Sequence, residues 1–233
     1  AAGFGTRLRP ITERIPKCLV PIGGQPLLER WLKSLEKAGC ESTLINTHYL
    51  ADQVNTYLDE RDNLEMCIHR VHEPSLLGTA GTLLTNEDFF SECTGLLIHA
   101  DNVSNADLNA FVNAHHSRSA GCLLTMLTFN TETPKSCGIV EIDEKGVVEA
   151  FHEKVPNPPG KRANGAVYAF DNDFLSFLKT LGPGVCDFST EVLPRLSGHI
   201  QTWHTTEFFL DIGTPDSLRE AQRLWPANVS DAV

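Results

Sequence analysis

The residues with the clearest chemical use stand at the start of the chain. There Gly3-Phe4-Gly5-Thr6-Arg7-Leu8-Arg9-Pro10 is followed by Pro16-Lys17-Cys18-Leu19-Val20-Pro21. The two glycines let the backbone turn tightly and approach a ligand, because no Cβ stands in the way. Consecutive backbone N–H groups in such a loop form a concave anion site. Arg7 adds a planar cationic fork and Lys17 a point charge. That chemistry suits a polyphosphate. Two acids stand at the ends of hydrophobic runs, in Leu96-Leu97-Ile98-His99-Ala100-Asp101 and in Phe209-Leu210-Asp211-Ile212-Gly213-Thr214-Pro215. The carboxyl ends of strands form the ligand-binding edge of an open α/β sheet. Helix capping is the plainer use for either acid, although Thr214 is the better-placed cap beside Pro215. His99 reads as a satisfied core histidine rather than a ligand.

A glycine pair alone fits an ordinary turn beside a basic patch. Two well-known glycine loops are excluded: a dinucleotide fingerprint needs a small residue where Leu8 stands, and a P-loop needs Gly-Lys-Ser/Thr after four intervening residues. The charge distribution narrows the ligand further. The chain carries a net charge of −11, which argues against nucleic acid or an anionic membrane as partner. Yet Arg7, Arg9, Arg14 and Lys17 face only Glu13 in the first seventeen residues. A local basic patch on an acidic protein points to a small anion.

The complete opening resembles the signature of the sugar-1-phosphate nucleotidyltransferases (NDP-sugar pyrophosphorylases). In that family Gly-x-Gly-Thr-Arg-Leu-x-Pro-x-Thr precedes Pro-Lys-Pro-Leu-x-Pro; here Cys18 replaces the proline after Lys17. The resemblance implies the reaction NTP + sugar 1-phosphate → NDP-sugar + pyrophosphate, with Mg²⁺ as cofactor. It implies that Ala2, Gly3, Gly5 and Thr6 bind the nucleotide, that Arg7 holds its phosphates, and that Lys17 reaches the α-phosphate. It makes Asp101 and Asp211 the Mg²⁺ ligands, a set that suits an ion taking one or two carboxylates plus phosphate oxygens and water. Of the family's Asn-Gly-Asp only Asp101 is kept, since His99 and Ala100 depart; Asp-x-Gly-Thr-Pro is complete at 211–215.

A second glycine segment, Glu73-Pro74-Ser75-Leu76-Leu77-Gly78-Thr79-Ala80-Gly81-Thr82, falls between a strand and a helix. Gly78 and Gly81 let backbone groups contact a flat base edge, although a glycine-containing helix start is the default for such a stretch. The family has its base loop here, and Leu77-Gly78-Thr79-Ala80-Gly81 resembles the guanylyltransferase branch. That implies GTP with a mannose- or heptose-type 1-phosphate, with Gly78, Thr79 and Gly81 at the nucleotide and Glu73 accepting from guanine. UTP with an amino-sugar 1-phosphate such as N-acetylmuramate 1-phosphate is the alternative pair. Glu153-Lys154 and Asn164-Gly165 match segments that line the family's sugar-phosphate pocket. Lys154 is then expected on the sugar phosphate, Glu153 and Asn164 on sugar hydroxyls, and Gly138 at a close backbone contact. Asp187 and Glu191 also have family counterparts, to which no chemistry is assigned.

Positioning these residues requires an alternation of strands and helices. Leu27, Leu28, Trp31, Leu32, Leu35 and Ala38 fall at helical spacing ahead of Gly39. Strands are expected at Thr43 to Thr47, Met66 to Val71 and Gly121 to Phe129, with helices at Asp52 to Arg61 and Asp107 to Arg118. Such alternation implies an α/β fold with a doubly wound, mainly parallel sheet. From about Cys137 the texture changes to a hairpin, Ile139 to Ile142 and Val147 to Phe151 around Asp-Glu-Lys-Gly. Ala166 to Phe170 reads as a further strand and Pro215 to Leu224 as a closing helix. The expected architecture is one Rossmann-like, nucleotide-diphospho-sugar transferase type domain over residues 1–233, with an antiparallel sugar-binding excursion. The family's buried strand that ends at the opening Ala-Gly has no counterpart before Ala1, so a short preceding segment is expected.

A length of 233 residues with 41% hydrophobic and 21% charged residues is ordinary for a globular α/β chain. No apolar run approaches the ~18 residues that span a bilayer. Seven scattered cysteines without a Cys-x-x-Cys pair suggest reduced thiols and a cytoplasmic setting. A homodimer is compatible with this reading. A catalytically silent, nucleotide-sugar-binding regulatory subunit is the rival of another class, opposed by the presence of Arg7, Lys17, Asp101 and Asp211. A related glycosyltransferase would want Asp-x-Asp, and Val103 stands where its second acid belongs.

Overall fold

The structure is a computed structural model in which residues 1–61, 65–91, 93–182 and 184–225 are described. In chain order the elements are β1 (Pro21–Ile22), β2 (Gln25–Pro26), α1 (Leu27–Lys37), β3 (Ser42–Thr47), α2 (Ala51–Asp59), β4 (Cys67–His72), α3 (Gly78–Thr85), β5 (Gly95–Ile98) and β6 (Asn102–Ser104). They continue with α4 (Leu108–His116), β7 (Leu124–Asn130), β8 (Gly138–Ile142), β9 (Val148–Glu153), β10 (Arg162–Phe170), α5 (Asn172–Thr180), β11 (Ile200–His204), β12 (Phe209–Asp211) and α6 (Pro215–Leu224). The alternation of helices and strands is thus present. Pairing is parallel between β3 and β4 and between β7 and β11, and antiparallel in the other ladders. The chain gathers into two compact units.

The first unit comprises Ala1–Leu76, His99–Ala106 and the chain from Glu207. Its α1 buries Leu27, Leu28, Trp31, Leu32 and Leu35 on one stripe and ends at Gly39, whose φ of 74° only glycine adopts freely. β12 pairs with β6, setting Asp211 opposite Asn102. The Ile212 amide then donates to the Asp101 carbonyl at 3.0 Å. Two acids 110 positions apart in sequence are thereby held by one short ladder. α6 starts sharply because Pro215 follows Thr214, which exchanges capping hydrogen bonds with Ser217. Leu8, Val20, Ile22, Leu27, Val103, Ile212, Leu218 and Trp225 close a core beneath these loops.

The second unit comprises Leu77–Ile98 and Asp107–Thr206. Its sheet runs β11-β7-β10-β8-β9, with β5 also on β10. β10 changes partners partway: Ala163 faces Ile139 of β8, whereas Val167 to Phe170 face β5. The change coincides with a bulge between Asn164 and Tyr168, where Ala166 takes a φ of 52°. Bulges of this kind re-aim side chains near functional sites. Tyr168, Phe170, Phe174 and Phe188 pack with Leu124, Met126 and Ile200, and each such large apolar side chain contributes roughly 1.5–3 kcal/mol on burial. The 138–153 hairpin forms as expected, its turn held by Asp143 Oδ1 accepting from the Lys145 and Val147 amides. The strand expected from Gly121 begins only at Leu124, because Gly121 has a φ of 88° and turns the chain.

Candidate active site

The glycine loop lies in the first unit and is built as an open turn. Gly5 has φ 61° and ψ 28°, and a Cβ there would stand 2.8 Å from Thr12 Cγ2 and 3.4 Å from Lys17 Cβ. Thr12 is fully buried and its hydroxyl donates to the Gly5 carbonyl at 2.7 Å. Tyr49 clamps the loop from the other side: its amide donates to the Ala2 carbonyl at 3.3 Å and its hydroxyl to the Thr12 carbonyl at 2.9 Å. Thr6 opens a 3₁₀ turn in which the Leu8 amide closes back on the Gly5 carbonyl at 2.9 Å. Among the described residues, the amides of Gly3 to Arg7 donate to no protein acceptor. Gly3, Phe4, Thr6 and Arg7 are exposed. Exposed consecutive N–H groups without protein acceptors are what a concave anion cradle requires.

Lys17 joins the cradle to the two acids. Its Nζ donates to Asp101 Oδ2 at 2.7 Å and lies 3.9 Å from Asp211 Oδ1, with the lysine side chain only 12% exposed. Burial pushes the Asp101 carboxyl up, but the ammonium of Lys17 overrides it and holds Asp101 below the usual carboxylate range. Gly213 completes the wall: a Cβ there would stand 3.0 Å from Asp211 Oδ2 and 3.2 Å from Arg7 Nη1. Arg7, Lys17, Asp101 and Asp211 therefore converge. His99 is half-buried; burial lowers its proton affinity, opposed by the nearby Asp101 charge. It stands beside the acids rather than in a remote core.

Two carboxylates flanking one cation make a donor set that fits Mg²⁺, which is held by one or two carboxylates and substrate phosphates. Among the described residues no group of three or more His, Cys, Asp or Glu could enclose a metal ion without such help. Glu73 lies in the same unit but turns inward. It is 1% exposed, and Oε1 accepts from Asn46 Nδ2 at 3.0 Å while its carbonyl meets His48 Nδ1 at 2.7 Å.

The remaining expected site residues lie in the second unit. Gly138 is directly opposite Glu153 in the β8–β9 ladder. A Cβ at Gly138 would stand 2.5 Å from Phe151 Cζ and 2.7 Å from Glu153 Oε2, so this glycine makes room for the acid. Lys154 follows in the left-handed region at φ 48°, its Nζ 2.8 Å from Glu153 Oε1 and its side chain 53% exposed. Asn164 Nδ2 donates to the Tyr168 hydroxyl at 2.6 Å, and its Oδ1 accepts the Ala166 amide at 2.9 Å across the bulge. Burial drives the fully enclosed Tyr168 hydroxyl far above its ordinary pKa, with Glu153 and Asp187 adding to the rise. Tyr168 was missed in the sequence because its chemistry appears only when the bulge brings it back to Asn164. Gly78 has a φ of 72°, and a Cβ there would collide with the Cys186 carbonyl. Thr79 and Gly81 lie in the first turns of α3, and the Ala80 amide between them donates to that same carbonyl at 3.1 Å.

Comparison with known proteins shows the family and the fold. A family model described as nucleotidyl transferase matches residues 1–227. The mannose-1-phosphate guanylyltransferase catalytic subunit beta of Drosophila pseudoobscura pseudoobscura is 29% identical over 218 residues, 91% of this chain and 57% of its own length. A mannose-1-phosphate guanylyltransferase of Mycobacterium tuberculosis is also 29% identical, over 92% of this chain and 60% of its own length. The chain thus spans about three fifths of these curated relatives. HddC from Yersinia pseudotuberculosis complexed with GMP-PN superimposes with a TM-score of 0.78 at 22% identity, covering 97% of this chain and 96% of that one. That likeness establishes the α/β fold.

Proposed function

The chain belongs to the nucleotidyl transferase family, and from that premise we propose that it condenses an NTP with a sugar 1-phosphate, releasing pyrophosphate and an NDP-sugar. GTP with a mannose- or heptose-type 1-phosphate is the pair we assign. The guanylyltransferase names of the relatives and the GMP-PN bound to the HddC neighbour support that choice. The observation that carries the reading is the contact of one ammonium, Lys17 Nζ, with both Asp101 and Asp211 beside a loop of free amides.

The chemistry follows from charge. An oxygen of the sugar phosphate attacks the α-phosphorus of the NTP, the α–β bridging P–O bond breaks, and pyrophosphate departs. The attacking oxygen is already anionic at neutral pH, so no general base is needed. Catalysis reduces to placing two polyanions and stabilising charge at phosphorus. The amides of Gly3 to Arg7 and the Arg7 guanidinium bind the β- and γ-phosphates and stabilise the leaving pyrophosphate. Lys17 bridges toward the α-phosphate. Asp101 and Asp211 would hold Mg²⁺, which supplies neutralisation of the phosphate charge when bound. Lys154 meets the sugar phosphate, and Glu153 and Asn164 hold sugar hydroxyls. Pyrophosphate release, measured for four NTPs against mannose, heptose, glucose and N-acetylmuramate 1-phosphates, tests the assignment. Turnover confined to GTP with a mannose or heptose phosphate supports it; turnover confined to UTP with the amino sugar replaces the substrate pair.

A further inference from the structure

One acid conspicuous in the sequence is absorbed by none of these roles. Glu191 lies in a short π-helical turn, Phe188–Val192. Its Oε2 accepts the Cys186 amide at 2.8 Å and the Asp187 amide at 2.7 Å. Asp187 answers by accepting the Thr190 amide at 2.8 Å, so the turn is tied at both ends. The carbonyl of the residue that Glu191 holds, Cys186, accepts the Ala80 amide at 3.1 Å and presses on Gly78, where no Cβ would fit. Glu191, the 186–187 backbone and the start of α3 are therefore linked in one chain of hydrogen bonds. The two amides hold the Glu191 carboxyl below its ordinary pKa, so the acceptor stays anionic at neutral pH.

We propose that Glu191 is a positioning residue for nucleotide binding: by fixing the 186–187 turn it sets the Gly78–Gly81 segment in its ligand-competent conformation. The idea rests on the function assigned above for its kinetic consequence, but its structural half stands apart from activity. A helix-capping role alone would stabilise residues 187–192 and leave Ala80 untouched. The link to Ala80 is what separates the two.

The test uses Glu191→Ala and Glu191→Gln in the full chain, by amide hydrogen exchange and by steady-state kinetics. In Glu191→Ala the Ala80 amide should exchange about tenfold faster, the scale of one lost charge-assisted hydrogen bond. Core amides of β7 and β10 should keep their wild-type rates. Glu191→Gln, which retains an acceptor oxygen, should restore most of the protection. The KM for the nucleotide should rise about tenfold in Glu191→Ala with kcat within about threefold, as expected when ground-state and transition-state binding are lost together. Unchanged exchange at Ala80, or acceleration spread equally over β7 and β10, would overturn the proposal. Faster Ala80 exchange with an unaltered nucleotide KM would overturn it too. If the wild type releases no pyrophosphate with any substrate pair, the assigned function fails, while exchange at Ala80 still decides whether Glu191 holds the segment.

Discussion

The guanidinium of Arg7 lies against Gly213, in a space that any side chain at 213 would enter. A Cβ there would stand 3.2 Å from Arg7 Nη1 and 3.0 Å from Asp211 Oδ2. One glycine thus seats a cation and a carboxylate that come from opposite ends of the chain. Gly213→Ala should fold, since both obstructing atoms end flexible side chains, but it displaces two charged groups by a few tenths of an ångström. Turnover should fall about 10- to 100-fold, in keeping with the cost of misplaced catalytic groups. Steady-state pyrophosphate release beside a melting curve checks this; full activity with an unchanged melt contradicts it.

Lys17 is the group between the two acids, so its charge is the one most difficult to replace. Lys17→Met should lower kcat by about 10²–10³ while the far-ultraviolet circular dichroism stays that of the wild type. Titration of Asp101 by NMR gives an independent readout. Without the ammonium that holds it down, its pKa should rise toward the ordinary carboxylate value, because burial is then opposed only by the His99 charge and a backbone hydrogen bond.

How much of this was legible in the sequence depends on whether the signal is local. Gly5 and Gly39 announce left-handed backbone, and both have it. Leu27 to Leu35 announce a buried helical stripe, and Thr214-Pro215 a helix start, and both are found. β11 was not foreseen: in Ile200–His204 only Ile200 is fully buried, and the strand is defined by its parallel ladder to β7. α5 was also missed, although Phe174, Leu175 and Leu178 fall on one face. In the site, the acids were legible as strand-end residues, but the seat of Arg7 on Gly213 and the Tyr49 clamp are tertiary contacts without a local pattern. Glu73 was expected at a base edge, and its side chain is engaged with Asn46 instead. Gly78 was expected to favour a ligand; a nearer reason is the Cys186 carbonyl packed against it.

The second unit carries a pH-dependent clamp. His115 is fully buried; its Nδ1 meets Thr125 Oγ1 at 2.7 Å, and its Nε2 lies 3.3 Å from Asp171 Oδ2. Burial, then the Arg118 charge, lowers its pKa to about 4, with Asp171 opposing. The unfolded chain therefore binds a proton at His115 that the folded chain refuses, and stability is lost as pH falls from 6.5 toward 4. The loss should be roughly 2–3 kcal/mol. Asp171, whose pKa is also lowered in the fold, adds a further loss below that range. Urea unfolding from pH 7 to 4 should show the decline, and His115→Gln should flatten its upper part. Equal slopes for the two proteins contradict the assignment.

Lys154 should act on one substrate only. Its Nζ pairs with Glu153 and is half-exposed, so Lys154→Ala removes a charge without opening a core. The KM for the sugar phosphate should rise about tenfold while that for the nucleotide stays within twofold, a split expected for loss of one charge-assisted contact. A matching rise in both constants contradicts a dedicated sugar-phosphate role.

The account depends most on Asp101 and Asp211 serving the same triphosphate. The direct measurement is pyrophosphate release from GTP and mannose or heptose 1-phosphate, with and without Mg²⁺, by the wild type, Asp101→Asn and Asp211→Asn. The account predicts Mg²⁺-dependent turnover in the wild type and a loss of about 10²-fold or more in each variant, with both variants still folded. Turnover in either variant near that of the wild type, or wild-type turnover indifferent to Mg²⁺, would contradict it.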